Sequence, residues 1–242
     1  FMAIYAAFCR WHMKTYGTTQ RQIAAVCAKN HQHSVHNPFS QFRKPFTIDE
    51  VLAAPPITYP ITLPMCAPLS DGAAAAILCT AGGLQRIGAD KSRCIKVAAS
   101  VIRSFTHRAM NEPEKSIGRL AALQAYEIAG LGPDDMDVAE VHDASAMGEI
   151  LQSENLGLAP PGGGGPAAER GEFTLGGRIP INPSGGLESK GHPLGATGIA
   201  QWYELVTQLR GEPGTRQVEG RRHAIQENGG GLQGVEEAAV AI

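Results

Sequence analysis

The run Asn182-Pro-Ser-Gly-Gly-Leu-Glu-Ser-Lys-Gly-His-Pro-Leu-Gly-Ala-Thr-Gly198 holds five glycines, two prolines and a single histidine. Glycine at that density lets a backbone come close to a ligand or to another backbone, because no Cβ stands in the way. Pro193 removes a donor and fixes φ directly after His192, so the histidine is aimed by its surroundings. After Gly198 the apolar positions Ile199, Trp202, Tyr203, Leu205, Val206 and Leu209 recur every three or four residues, the period of an amphipathic helix. The loop therefore opens a helix. Free N–H groups and the positive dipole end at such a start favour an anion or developing negative charge nearby.

The run resembles the late glycine-histidine motif of the thiolase superfamily, roughly Asn-x-x-Gly-Gly-x-x-x-x-Gly-His-Pro-x-Gly-x-[Ser/Thr]-Gly, and matches every fixed position of it. In that family the histidine deprotonates a nucleophilic cysteine during acyl transfer from coenzyme A thioesters. The resemblance implies that role for His192, a base that must be positioned first and tuned second. It also implies that Ser184 and Gly185 lie at the bound coenzyme A thioester, which is a substrate and not a covalently held cofactor.

Upstream, Asp134 to Asp137 turn the chain into a short strand, Val138-Ala-Glu-Val141, that delivers His142-Asp143. Met147, Ile150, Leu151 and Leu156 then follow at helical spacing, and α/β proteins commonly build sites at such strand ends. The segment Glu140-Val-His-Asp-Ala-Ser-Ala-Met-Gly-Glu149 resembles the family's histidine-aspartate motif. There the histidine helps form an oxyanion hole, a donor aimed at charge that develops in the transition state, so His142 is implied for that task. Downstream, Arg221 to Ile225 reads as extended and ends in Gln226-Glu-Asn-Gly-Gly-Gly-Leu-Gln-Gly234, and Val235 to Ile242 reads as a closing strand. Ordinary thiolases carry Cys-x-Gly-Gly-Gly here, and the cysteine moves the second proton. Glu227 stands at that position with Asn228 beside it. Ala144 stands where sterol-carrier-type members can place another thiol. A carboxylate whose pKa is raised by burial can move protons, and it can equally be a plain hydrogen-bond acceptor.

In the first third, Ile4, Tyr5, Phe8, Trp11 and His12 have helical spacing that stops near Gly17. Thr18 and Thr19 offer N-caps for a second helix expected to end before His31. The polar stretch from His31 to Pro45 reads as ordered loop. Its histidines His31, His33 and His36 read as solvated, since no carboxylate or cysteine joins them at metal-ligand spacing. The segments Tyr16 to His31 and Asn37-Pro-Phe-Ser-Gln-Phe-Arg-Lys-Pro45 resemble the loop domain of sterol-carrier-type thiolases, which lies over the active site and helps bind coenzyme A. Arg43 and Lys44 are then either partners of the nucleotide phosphates or a solvated basic pair. Thr47-Ile-Asp-Glu50 has the form of a capping box before a short helix stopped at Pro55 and Pro56. Ile57 to Leu63 reads as extended. Pro68 to Cys79 reads as a turn at Asp71-Gly72 running into a buried strand, and a similar Asp-Gly-Ala-Ala-Ala segment occurs in thiolases. Lys96 to Val101 reads as a second strand, Leu120 to Ala129 as a helix ended at Gly130, and Pro160 to Pro166 as a glycine-rich loop.

Composition fits an ordinary globular chain, with 43% hydrophobic and 18% charged residues among 242. With a net charge of -2 and no long basic run, nothing suggests a nucleic-acid footprint. No apolar run approaches the roughly 18 residues of a membrane span. Cys9, Cys27, Cys66, Cys79 and Cys94 are scattered and odd in number, the pattern of reduced cytosolic thiols, so the expected compartment is cytoplasmic. None of the five sits in the short Cys-x-[Ser/Gly]-Gly context of the family's nucleophile. The chain opens on Phe1 with no methionine before it, as expected of a fragment or processed product. The resemblance implies an α/β, layered αβαβα thiolase-like fold, incomplete: residues 1–90 carry the loop domain and the end of the first core half, and residues 91–242 the complete second half. The expected activity is acyl transfer on acyl-CoA, in a homo-oligomer, with the nucleophile supplied by a missing N-terminal segment or a partner chain. Two alternatives stand beside it. One is a thiolase-like aldolase that cleaves a β-hydroxyacyl-CoA with a small OB-fold partner, and the other is a non-catalytic acyl-CoA or lipid binding module.

Overall fold

The computed structural model describes residues 1–242 except 106, 110 and 232–235. Helix α1, Met2–Tyr16, ends where Gly17 takes φ 78° and donates its N–H to the Met13 carbonyl, a left-handed cap suited to glycine. Helix α2, Gln20–Ser34, starts from a full capping box between Thr19 and Gln22, and α3, Ile48–Ala53, from another between Thr47 and Glu50. A small hairpin follows, β1 Pro56–Thr58 and β2 Ile61–Thr62. After the short α4, Ala81–Arg86, the main sheet begins.

That sheet joins β3 Ser100–Ser104, β4 Val138–Glu140, β5 Ala224–Gly230 and β6 Glu237–Ala241 in the order β3-β6-β5-β4. Strands β4 and β5 are parallel, and β6 runs antiparallel to both of its neighbours. Ile181 adds a parallel bridge to Ala139 beyond β4. Crossovers between these strands carry α5 Ile117–Ala129, α6 Ala146–Asn155, α7 Gly164–Glu169, α8 Gly186–Ser189 and α9 Thr197–Arg210. The pleat sorts the sheet into two faces. Val101, Val240 and Glu227 form one row, buried on the side of α5. Ile102, Ala239 and Asn228 form the opposite row, which α9 covers only over β4 and β5. Ile102 is 70% exposed there.

The core is continuous from the first helices to the last strand. Cys9, Ile23 and Val26 pack in one cluster with Val141, Ile150, Ile181, Ile225 and Val240. Four expectations need correcting. Helix α2 does not stop before His31 but runs to Ser34, because His31 and His33 are buried against the segment around Asn182 and Ser189 and so stay on a packed face. The buried strand expected up to Cys79 does not form: residues 71–80 lack regular structure and Ile77 is 87% exposed, since among the described residues no neighbouring strand lies alongside to complete a ladder. Pro160 to Pro166 is not loop throughout, since α7 begins at Gly164, which lies so close to α6 that a Cβ would meet Ser153 Oγ at 2.7 Å. Strand β3 begins at Ser100 and not at Lys96, and β5 continues through Glu227 and Asn228. Part of the expected closing strand, Val235, lies outside the described residues. No helix among the described residues is long and apolar enough to cross a membrane.

Candidate active site

Asn182 starts the site. It sits at φ 53°, the left-handed region that asparagine tolerates better than most residues. Its side chain accepts from Val141 N (2.8 Å) and donates to Glu149 (2.9 Å). Its carbonyl accepts from His33 Nδ1 (3.0 Å), whose Nε2 accepts from Leu175 N (3.1 Å). Both imidazole nitrogens of His33 are thus assigned, and burial pushes its pKa down to about 3. Lys29 completes this anchor from α2, contacting the Ile181 carbonyl at 2.6 Å and Glu149 at 2.7 Å. The strand end and the glycine loop are therefore pinned to each other.

Asp143 points inward and accepts from Leu187 N (2.7 Å) at the start of α8 and from Asn30 (3.1 Å). Gly186 has no room for a Cβ, which would meet the Asp143 carboxylate at 2.2 Å. With Asp143 turned in, His142 faces the glycine loop. Its ring meets that of His192 edge to face, centroids 4.9 Å apart. Burial and the neighbouring His192 lower the His142 pKa to about 4, so the ring is neutral near pH 7.

His192 is half-buried, and its pKa is lowered by burial and by Lys190. Its Nδ1 lies 2.8 Å from Thr197 Oγ1, and Thr197 donates its only hydroxyl proton to the Pro193 carbonyl at 3.1 Å. The hydroxyl must then accept from Nδ1–H, which leaves Nε2 of His192 as the basic nitrogen. The histidine emerges from the turn, and α9 begins five residues later.

Glu227 and Asn228, adjacent in β5, face opposite ways. The Glu227 carboxylate is fully buried behind the histidine strand end, accepts from His142 N at 3.1 Å, and is pushed up to about 8 by burial. Asn228 lies on the α9 side, close to Gly198 at the helix start, with a buried oxygen that has no partner among the described residues. The two residues therefore do not share one position at the site, as their adjacency suggested.

Ser184 and Gly185, expected at the ligand, are fully buried and committed inward. Ser184 N and Oγ bond Glu140 at 3.0 and 2.9 Å, and a Cβ on Gly185 would meet Ser34 Cβ at 2.5 Å. They shape the loop and present no surface to a ligand. Arg43 and Lys44 are exposed on the strip that pairs with the loop through Gln41 N to Lys190 O and Phe42 N to Ser189 O. The Arg43 guanidinium donates to the Val35 carbonyl, and Lys44 lies 5.2 Å over the Phe46 ring. Of the cysteines, Cys66 bridges Ser145 and Cys27 contacts Glu188 of the glycine loop. Burial and Glu188 push the Cys66 thiol up to about 11, while Cys9 and Cys27 are buried in the core and pushed up as well. These thiols stay protonated near pH 7 and are poor nucleophiles. No group of three or more His, Cys, Asp or Glu is placed to hold a metal among the described residues.

Sequence reasoning missed Ser70, which accepts from His192 N at 3.0 Å, and it missed Thr197 as a partner of the ring. The Thr197 bond had a signal, a hydroxyl five residues past the histidine at a helix start. Ser70, 122 residues away, had none.

A mixed sheet with helices on both faces, a histidine past a strand end facing a second one in a glycine loop, and that loop entering a helix define an α/β fold of the thiolase type. The chain belongs to the thiolase family: the sequence model of the thiolase C-terminal domain-like family matches residues 99–242. Sterol carrier protein 2 of Rattus norvegicus is 46% identical over 225 residues, covering 90% of this chain and 41% of that protein. An acetyl-CoA acetyltransferase of Methanothermobacter thermautotrophicus is 43% identical, covering 100% of this chain and 63% of its own length. Among solved structures, an Ltp2-ChsH2(DUF35) aldolase superposes with a TM-score of 0.76 at 20% identity, covering 98% of this chain and 62% of that one. The chain thus spans about two fifths to two thirds of these proteins.

Proposed function

We propose that the chain forms the histidine-bearing part of a thiolase-type acyltransferase acting on coenzyme A thioesters. The observation that carries this reading is the pair of facing imidazoles, one with Nε2 left basic by Thr197 and the other kept neutral by burial. His192 takes the proton of an attacking thiol. His142 donates a hydrogen bond to the thioester oxygen, where negative charge develops. Asn228, with its unpartnered oxygen at the α9 start, lines the second proton-transfer position, while Glu227 holds the His142 strand end from behind. The nucleophilic cysteine comes from thiolase residues outside these 242, in the same polypeptide or in a partner chain. The open sheet row of Ile102 and Ala239 beside α9, together with the exposed Ala73–Cys79 run, is the surface such residues would cover. Arg43 and Lys44 remain the candidates for the nucleotide phosphates. The test is thioester exchange and thiolysis by the enzyme with all its thiolase residues present. His192→Ala should lower the rate by about 10²- to 10⁴-fold, the contribution of a positioned base; an unchanged rate would sink the reading.

A second reading is retro-aldol cleavage of a β-hydroxyacyl-CoA with a small OB-fold partner. It is favoured by the absence of both usual acid/base thiols, with Ala144 and Glu227 in their places, and it suits the fold shared with the aldolase. Product analysis on a β-hydroxyacyl-CoA, with and without the partner, separates the two reactions.

A further inference from the structure

The strip 66–72 crosses the site from Ser145 to His192, and its hydroxyl at Ser70 is a contact that acyl transfer does not account for. We propose that Ser70 is a positioning residue for His192, its hydroxyl oriented by Gln41 so as to fix the peptide from which the imidazole is aimed. The inference rests on the reading of His192 as the base.

Three observations carry it. Ser70 Oγ lies 2.5 Å from Gln41 Oε1 and 3.0 Å from His192 N, with the Pro68 carbonyl more distant at 3.4 Å. A hydroxyl has one proton, and the short contact to an amide oxygen claims it, so toward His192 the oxygen can only accept. The bond therefore has a fixed direction. The main chain of Gln41 is held beside the loop, since its backbone N–H donates to the Lys190 carbonyl at 2.9 Å, two residues before His192. Finally, the backbone is shaped to admit the hydroxyl: Gly191 has φ 115°, and a Cβ there would stand 2.7 Å from Ser70 Oγ. Leu69 pairs with His192 as an isolated bridge beside this contact.

The base is thus held at two points, its main chain by Ser70 and its ring by Thr197. Removing the first leaves a half-buried N–H without a partner and lets the peptide rock, and small displacements of a reacting group are costly in rate.

The chain labelled with ¹⁵N-histidine, compared with its Ser70→Ala, Ser70→Thr and Gln41→Leu variants, tests this by NMR. The wild-type ring of His192 should show the Nδ1–H tautomer and titrate below the ordinary histidine value. Ser70→Ala should give a mixed tautomer and move that titration upward, with the His33 signals unmoved. Ser70→Thr should restore the wild-type pattern, and Gln41→Leu should fall between. If Ser70→Ala fails to fold, Gln41→Leu, at an exposed residue, carries the comparison. An Ser70→Ala variant whose His192 signals and titration match wild type would overturn the proposal, as would equal shifts at His33. In the enzyme with all its thiolase residues, Ser70→Ala should cut kcat about tenfold to a hundredfold with KM little changed. If the NMR response appears while His192→Ala leaves acyl exchange intact, the functional reading fails and the positioning role stands.

Discussion

Thr197 decides which nitrogen of His192 is basic, because its single hydroxyl proton is already given to Pro193. Thr197→Val should therefore release the ring to both tautomers and reduce turnover about tenfold, whereas Thr197→Ser should retain most of it; comparing kcat for the two variants checks this. Glu227 offers a different test. Its carboxyl is raised from 4.5 to about 8 by burial, so the folded state prefers it protonated. A group of this kind contributes stability below its unfolded pKa and loses it as pH rises toward the folded one. Glu227→Gln keeps the acceptor for His142 N and removes the charge. Its thermal midpoint should exceed wild type at about pH 8.5 and approach it at about pH 5. A constant difference across that range would mean the carboxyl is not carrying the burial cost.

At the scale of elements, the glycine loop tolerates no side chain where it crosses α2. Gly185 has φ 103° and faces Ser34 directly, so Gly185→Ala combines backbone strain with overpacking and should cost about 3 kcal/mol, read from the denaturant midpoint. Legibility in the sequence followed how local each decision was. The capping box at Thr47, the N-cap at Thr19, the helix ends at Gly17 and Gly130, and the helix after Gly198 depend on residues within a few positions of each other, and all could be read. His31 and His33 could not, since their burial is set by partners about 150 residues away. The run to Cys79 was misread because an apolar stretch specifies a wish for burial and not a neighbour. The site shows the same division. His142 and His192 were legible as motif residues, but the outward turn of Asn228 and the inward turn of Glu227 came from the pleat of β5, which no glycine count reveals.

For the whole molecule, the buried ionisable groups pull in opposite directions. His33 and His142, lowered to about 3 and about 4, support the fold above the unfolded histidine value of 6.5 and lose that support as pH falls. Asp143, Glu188 and Glu227 are all raised, chiefly by burial, and withdraw support as pH rises. Above the unfolded histidine value the two rings are neutral in both states, so the raised carboxyls alone set the slope and unfolding free energy should fall as pH rises from about 7 to 8. A denaturant series that still gains stability from pH 7 to 9 would contradict this balance.

The sheet order carries a last consequence, about time. Among the described residues strand β3 touches neither β4 nor the bridge at Ile181, and its one ladder is with β6. On a ribosome, Val101 must wait while more than a hundred further residues are synthesised before Val240 arrives to pair with it. Through that interval β3 has α5 against its Val101 face but, among the described residues, no hydrogen-bonded companion. Such non-local closure makes for slow assembly, and this half of the fold is expected to need shelter during synthesis more than a helical bundle of equal length would.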